Sequence, residues 1–356
     1  MNKRQFLKQS ALALSLLPLA GCSISSAASM PTHSKSKNSP SRILPKALSK
    51  GDTVGLVSSS AATAERLELQ LAQEAMQALG FKVKTGRFFA DRRGHLAGRD
   101  TDRAADVNAM FADKEVKAVI CLRGGSGAAR ILPLLDYDMI RQNPKPLLGY
   151  SDITALHNAL LAKAGLVSFH GPNGTGSWNA FNVDQFERLF FQRELMHYQN
   201  DLTARDELVP RQNRTQVITP GVAKGALVGG NLTVLTALAG SPYLPDFSGK
   251  ILFLEDIQEQ PYRIDRMFST LQLMGVLDKI SGFIFGDCNN CVPGGGWGSL
   301  TLDDIFDDFI KPLGIPAYRG AMIGHIPRQF IVPVGAMAEM DASAGSFKLL
   351  EPVFQV

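Results

Sequence analysis

Strands that alternate with helices over residues 53–170 predict an α/β chain built on a parallel sheet covered on both faces. Three observations carry this. Short apolar runs at 53–57, 81–85, 117–122, 147–150 and 166–170 have strand length, and segments of helical period separate most of them. Their carboxyl ends carry Ser or Gly, at Ser58, at Gly124-Gly125 and at Ser151, where open α/β sheets place their ligands. After a polar, irregular stretch at 202–216 the pattern restarts, and the chain closes on a β-rich tail, 329–340 and 347–349.

Taken in order, 53–57 is a first strand and Ser58-Ser59-Ser60 leads to a helix over 63–79. Residues 100–111 form a helix with Ala104, Val107 and Phe111 on one side, and 117–122 is a strand turned by Arg123-Gly124-Gly125-Ser126-Gly127 into the next helix. Residues 173–178 are a loop and 184–197 a helix. In the second half, 224–229 is a strand and Gly230-Asn231 opens a helix to 239. A strand at 250–255 follows, then a helix from Pro261 to about 274, a strand at 282–285, a glycine-rich loop at 293–298 and a helix at 302–310. Five segments result: 1–21 signal, 22–45 disordered tether, 46–200 first domain, 201–223 linker and 224–356 second domain.

Lys3, Arg4 and Lys8 precede an apolar run, 11–19, too short for a comfortable membrane span. Leu19-Ala20-Gly21-Cys22 resembles a bacterial lipobox, which makes Cys22 a lipidated mature N-terminus on the periplasmic side of a membrane; an ordinary signal peptide or an uncleaved anchor is the alternative. Lys3-Arg4-Gln5-Phe6-Leu7-Lys8 fits a twin-arginine signal with one arginine replaced, and Sec export fits equally. Removing 1–21 takes away three cations and no acid, so the net charge of +4 becomes +1. The basicity belongs to the signal, and nothing points to nucleic acid. Of the four cysteines, Cys121 lies in an apolar run and reads as a buried core thiol. Cys288 and Cys291 form a Cys-x-x-Cys pair, either a local disulfide or two thiols, and without a second pair they make no zinc site.

Gly149-Tyr150-Ser151-Asp152-Ile153-Thr154 has the strand, serine turn and helix order of a nucleophile elbow, with Ile153 in place of the second glycine of Gly-x-Ser-x-Gly. The plainer reading is that Ser151, Asp152 and Thr154 only cap a helix. A serine nucleophile needs a base and an orienting acid. Among six histidines, His33 is in the tether, His95 in an arginine-rich loop, His157 inside a helix and His197 at a helix end. His170, close by topology, and His325, in a Gly-His turn, lead. Glu255 ends an apolar strand where an unpaired carboxylate is costly, so it is either ion-paired, with Arg263 or Arg266, or functional. The glycine turn at 124–127 has neither the P-loop nor the dinucleotide pattern; it can instead bring a backbone N–H to a reacting carbonyl.

Arg123-Gly124-Gly125-x-Gly127, Gly149 to Thr154 as written above, Gly229-Gly230-Asn231-Leu232, Leu254-Glu255-Asp256 with Pro261-Tyr262-Arg263-Ile264-Asp265-Arg266, and Gly324-His325 with Val332-Pro333-Val334-Gly335 occur together and in this order. As a set they resemble the LD-carboxypeptidase family of serine peptidases, of muramoyltetrapeptide carboxypeptidase and microcin-C-immunity type, from about Leu48 to the C-terminus. The resemblance implies a flavodoxin-like first domain carrying Ser151 as nucleophile, and a smaller β-rich α/β second domain supplying Glu255 as orienting acid and His325 as base. It implies an oxyanion hole from the N–H groups of Gly125 and Asp152, a cleft between the domains, no metal or other cofactor, and a homodimer. Ser126 departs from the aromatic residue often found after the paired glycines. The lipobox is unusual for a family best known in the cytoplasm.

The implied activity is hydrolysis of an amide between an L-centre and a terminal D-amino acid, with D-Ala released from a peptidoglycan-derived tetrapeptide. Cleavage of another peptide or a peptidyl-nucleotide amide is the alternative within the family; a lipid-anchored wall-peptide binding protein without turnover is the alternative outside it. One consequence is testable on the precursor. Cys22→Ser is expected to abolish lipid labelling and to leave soluble chain or uncleaved precursor; unchanged labelling would remove the lipoprotein reading.

Overall fold

Two sheets, each completed by a strand from the other half of the sequence, fix where the chain's loops converge. The computed structural model describes residues 40–202, 208–209, 212–294 and 298–355; the signal, the lipobox with Cys22, His33 and the tether as far as 39 lie outside the described residues. The first half runs β1 (Thr53–Val57), α1 (Arg66–Ala78), β2 (Lys82–Thr85), α2 (Asp100–Ala112), β3 (Val116–Cys121), a 3-10 segment Ala128–Leu134, α3 (Tyr137–Gln142), β4 (Leu147–Gly149), a 3-10 turn Ser151–Ile153, α4 (Thr154–Ala164), β5 (Ser168–His170), α5 (Ala180–Phe186) and β6 (His197–Gln199). Then come β7 (Gln216–Thr219), β8 (Val222–Asn231), α6 (Leu232–Ala237), β9 (Ile251–Ile257), α7 (Pro261–Leu273), β10 (Gly282–Asn289), α8 (Leu302–Phe309), β11 (Ala317–Arg319), β12 (Val332–Val334), β13 (Met337–Asp341) and β14 (Ser346–Leu349).

The first sheet has the order β2-β1-β3-β4-β5-β12. Its first five strands are parallel and in flavodoxin order, which puts the topological switch point between β1 and β3. Strand β12 adds antiparallel to β5 as an edge, where Pro333 can sit without a ladder donor. The second sheet, β6-β14-β13-β8-β9-β10-β11-β7, has a parallel centre, β8 to β11, with antiparallel strands on both sides. The fold class read from the sequence is the fold observed.

Local differences have physical causes. The helix expected over 184–197 stops at a π-turn, Glu187–Phe191, and the chain extends into β6. There Tyr198 is buried and stacks on Phe347 at 4.4 Å, a gain that a helix would forfeit. At the other end, Ile43 already bridges Leu166 and Arg141 donates to the carbonyl of Ser41 at 2.8 Å, so the chain is seated on the first sheet well before β1. Cys121 is a fully buried thiol, its pKa pushed up to about 12 by burial, and Cys288 is bonded to Cys291. Among the described residues no helix is long and apolar enough to cross a membrane.

The core is continuous between the sheets. Phe169, Phe186, Phe190 and Phe354 form one aromatic cluster with ring centroids 4.4–5.4 Å apart. In the second half, β8 and β9 approach so closely at Gly229 (φ +136°) that a Cβ there would run into the carbonyl oxygen of Phe253. Gly229→Ala is therefore expected to cost about 3 kcal/mol or more, from left-handed strain plus a backbone clash, read as a lowered urea midpoint. A midpoint within error of the parent would show that the two strands can separate at no cost.

Candidate active site

At the carboxyl end of β4 the backbone makes its sharpest departure from ordinary geometry. Ser151 has φ +65°, a left-handed conformation that non-glycine residues rarely adopt, so the serine turn is an elbow as the sequence suggests. Its side chain is lifted towards the glycine turn that follows β3. A Cβ on Gly124 would lie 2.7 Å from Ser151 Cβ and 3.0 Å from Oγ, so only glycine lets that loop approach. Gly125 (φ +116°) leaves no room for a Cβ against Ala61, and the carbonyl of Gly124 accepts from the N–H of Ala61 at 3.3 Å.

Asp152 is not the helix cap that the sequence allows. Its buried carboxylate accepts from Ser60 Oγ and, at 2.7 Å, from the N–H of Ala128, tying the serine elbow to the loops after β1 and β3. Burial pushes its pKa up, and these hydrogen bonds and the Arg103 charge oppose that. Arg103, fully buried on α2, donates to the carbonyls of Ser59 (2.5 Å) and Gly127 (2.9 Å) and pairs with Asp100. Thr154 does not cap α4 with its hydroxyl either: Oγ1 accepts from the N–H of Asn231 at 2.9 Å.

Across that contact lies the second set of groups. Glu255, on β9 and fully buried, faces neither Arg263 nor Arg266. Oε2 lies 2.7 Å from His325 Nδ1, while Arg263 pairs with Glu259 at 3.5 Å. Gly324 (φ +117°) makes the pair possible, since a Cβ there would sit 2.6 Å from Glu255 Oε2. The carbonyl of His325 accepts from Asn289 Nδ2 at 3.0 Å. Burial disfavours the charged imidazole, and the hydrogen-bonded Glu255 carboxylate, with Asp256 and Asp287 behind it, more than reverses this. The pKa of His325 therefore stands above the ordinary histidine value. Tyr150, next to Ser151, packs its ring 4.9 Å from that of His325 and joins the two sets.

Among the described residues the other histidines have no such partner. His170 is fully buried with both ring nitrogens unbonded among the described residues, and burial, then His157 and His325, hold its pKa well below normal. His157 bridges Ser168 Oγ and the carbonyl of Gly149, each at 2.8 Å, with a pKa lowered to about 4 by burial. His197 lies in β6, on the second sheet. Ser151, Gly125 and Asp152 thus converge at one strand-end cluster, and Glu255 and His325 at another. Sequence reasoning missed Ser60, Arg103, Asp256 and Asn289. Arg103 alone left a signal, as a charged residue on the side of a helix that carries Val107 and Phe111.

Two family models match, the LD-carboxypeptidase N-terminal domain over residues 54–171 and the LD-carboxypeptidase C-terminal domain over 224–340. A probable murein peptide carboxypeptidase of Bacillus subtilis is 42% identical over 304 residues, 84% of this chain and 92% of the relative. The chain belongs to the LD-carboxypeptidase family. Among solved structures, the microcin C7 self-immunity protein MccF in complex with glutamyl sulfamoyl guanosine superposes with TM-score 0.78 at 26% identity, over 88% of this chain and 99% of that one. A muramoyltetrapeptide carboxypeptidase from Oxalobacter formigenes gives 0.70 at 29%, over 83% and 97%. As a member of the LD-carboxypeptidase family the chain is a peptidase, and both halves of the family fold are present.

The electrostatics of the Glu255–His325 pair can be tested directly. In Glu255→Gln the burial of His325 remains and its main opposing charge is gone, so the imidazole should titrate at lower pH than in the parent. Histidine NMR titration would show the shift, and an unmoved midpoint would mean the pair is not made in solution.

Proposed function

We propose that this peptidase is a serine LD-carboxypeptidase that hydrolyses the amide between an L-centre and a terminal D-amino acid, releasing D-Ala from a murein-type peptide. It acts without metal or cofactor, as a homodimer, held at the periplasmic face of a membrane by acylated Cys22. The observation that carries the reaction is the Glu255–His325 pair, 2.7 Å apart, whose imidazole ring lies 4.9 Å from that of Tyr150, the residue before the left-handed Ser151.

In this reading Ser151 Oγ attacks the scissile carbonyl while the outer nitrogen of His325 takes its proton. Glu255 holds the imidazole through Nδ1, which fixes the tautomer and stabilises the imidazolium. The N–H groups of Gly125 and Asp152 receive the developing oxyanion, one from a glycine turn and one from a helix start, a pairing worth about 10²–10³ in kcat per donor. His325 then gives its proton to the leaving amine, D-Ala departs, and water completes the cycle through the same base. The 42% identity to a relative named for murein peptides supports the substrate class. The superposition on MccF with its glutamyl sulfamoyl nucleotide supports a second reading, hydrolysis of a peptidyl-nucleotide amide.

A D-Ala release assay on a murein tetrapeptide, beside the same chain offered an aminoacyl sulfamoyl nucleotide, separates the two. Release of neither product would leave cleavage of another peptide and the binding-protein reading. Within the assay, Ser151→Ala should lower kcat by about 10⁴-fold or more, and adding His325→Ala should cost little further, because the three residues act as a unit. His170→Ala is the control, since neither of its ring nitrogens is hydrogen-bonded among the described residues. Near-normal turnover in Ser151→Ala, or a loss in His170→Ala as severe as in His325→Ala, would overturn these roles.

A further inference from the structure

The reaction above gives Cys288 and Cys291 no task. They straddle the end of β10 in the sequence Cys288-Asn289-Asn290-Cys291 and are bonded to each other. The turn they close is tight: Asn290 is left-handed (φ +57°), and the N–H of Cys291 donates to the carbonyl of Cys288 at 3.1 Å. Asn289, inside that turn, is tied on two sides. Its carbonyl accepts from the N–H of Gln258, just beyond β9, at 2.7 Å, and its Nδ2 donates to the carbonyl of His325 at 3.0 Å. The second of these is the only hydrogen bond to the main chain of His325 among the described residues. Asp287 adds its N–H to the carbonyl of Ile323 at 2.9 Å. The loop 323–325 that carries the proposed base thus hangs from 287–289, and the disulfide closes the turn that holds Asn289.

This bond acts locally. A disulfide stabilises mainly by restricting the unfolded chain, and the restriction shrinks with the loop it closes. Here the two cysteines are three residues apart, so the whole fold gains little from their union. Once the bond opens, the turn keeps one hydrogen bond and a sparsely populated backbone conformation at Asn290, so it relaxes and Asn289 loses its fixed place. The bond is also within reach. Both cysteines are half-buried, and Cys288 lines a cavity of about 400 Å³ at this end of the second sheet, whereas Cys121 is fully buried.

We propose that Asn289 is a positioning residue for His325 and that the Cys288–Cys291 disulfide is a thiol-exchange site that holds it there: a dithiol that opens the bond frees Asn289, unseats the His325 loop and lowers turnover. One thiolate of the dithiol attacks a sulfur of the pair, forming a mixed disulfide and releasing the other cysteine. The second thiol of the reductant then displaces the remaining cysteine, so the reductant leaves as a disulfide and two electrons and two protons end on Cys288 and Cys291. The device rests on the reading of His325 as the base. A chain folded in a reducing compartment would work slowly, and oxidation after export would bring it to full rate.

The test uses the full chain, oxidised or reduced with dithiothreitol, with mass after alkylation confirming two further thiols. Reduction should move the titration midpoint of His325, read by histidine NMR, down towards the ordinary value. The reason is that the imidazole loosens from Glu255, with Asp256 and Asp287 behind it, and reoxidation should restore the midpoint. On tetrapeptide, kcat should fall about 10- to 100-fold with KM little changed, the cost of a misplaced catalytic group. Asn289→Ala should match the reduced parent in both redox states, and so should Cys288→Ala combined with Cys291→Ala. Melting temperatures should move by about 4 °C or less throughout. A larger fall on reduction would make the bond a structural tie and overturn the switch. A midpoint that reduction leaves in place, or an Asn289→Ala chain that still responds to dithiothreitol, would overturn it too. A shift of His325 in a chain that hydrolyses nothing leaves the device standing and removes the reaction; turnover indifferent to reduction does the reverse.

Discussion

The geometry of the candidate site hangs on one contact, where β8 of the second sheet lies against the start of α4. Asn231 donates its backbone N–H to Thr154 Oγ1, and Asn158 Nδ2 donates to the carbonyl of Gly229 at 3.0 Å. Gly230 (φ +127°) lets the strands of one half come this near, since a Cβ there would fall 2.8 Å from Thr154 Cγ2. Thr154 is three residues beyond Ser151, and Asn231 is in register with Glu255 on β9. The path from the serine to the acid is therefore one helical turn, one hydrogen bond and one strand pairing. No long loop intervenes, so little freedom remains for the two clusters to drift apart.

Charge is arranged around that path with a definite asymmetry. Glu255, Asp256 and Asp287 all surround a single imidazole. Asp256, raised to about 6 by burial and then by Glu255, spends its oxygens on the N–H and hydroxyl of Thr233 and on the N–H of Ile257. It organises the turn into α6 and leaves Glu255 to His325. Glu255 has one oxygen on the imidazole and the other, Oε1, buried without a partner among the described residues. Such a carboxylate is costly to keep, and its cost falls when His325 becomes cationic. The site favours proton uptake by the imidazole, the step the proposed base would make.

Much of this was legible because local chemistry and tertiary use coincide. Strand-length apolar runs ending in Ser or Gly gave the parallel sheet, and Glu255 stood out as a carboxylate in an apolar strand. Choosing His325 over His170 needed more than periodicity. Both sit at plausible positions; the family resemblance pointed to His325, and the fold brings Glu255 to it at 2.7 Å. The exchange of β6 and β12 between the sheets was illegible for a related reason. A three-residue strand has no period to read, and its partner is more than a hundred residues away. Hydrogen bonds made by Asp152 and Thr154 were misread because capping is the local use of such side chains, and both are spent on distant segments instead.

Asp152 shows why that diversion matters. A left-handed serine persists only where its surroundings over-determine it. Had the Asp152 carboxylate capped α4, the elbow would be anchored to its own helix alone. Bound to Ser60 and Ala128, it anchors the elbow to the loops after β1 and β3, the two sides of the topological switch point. Arg103 closes the same ring from beneath through Ser59 and Gly127. The glycine turn and the serine turn then move as one body. The two N–H groups proposed to receive the oxyanion belong to that body, so their spacing is set before a substrate arrives and needs no reorganisation when charge develops.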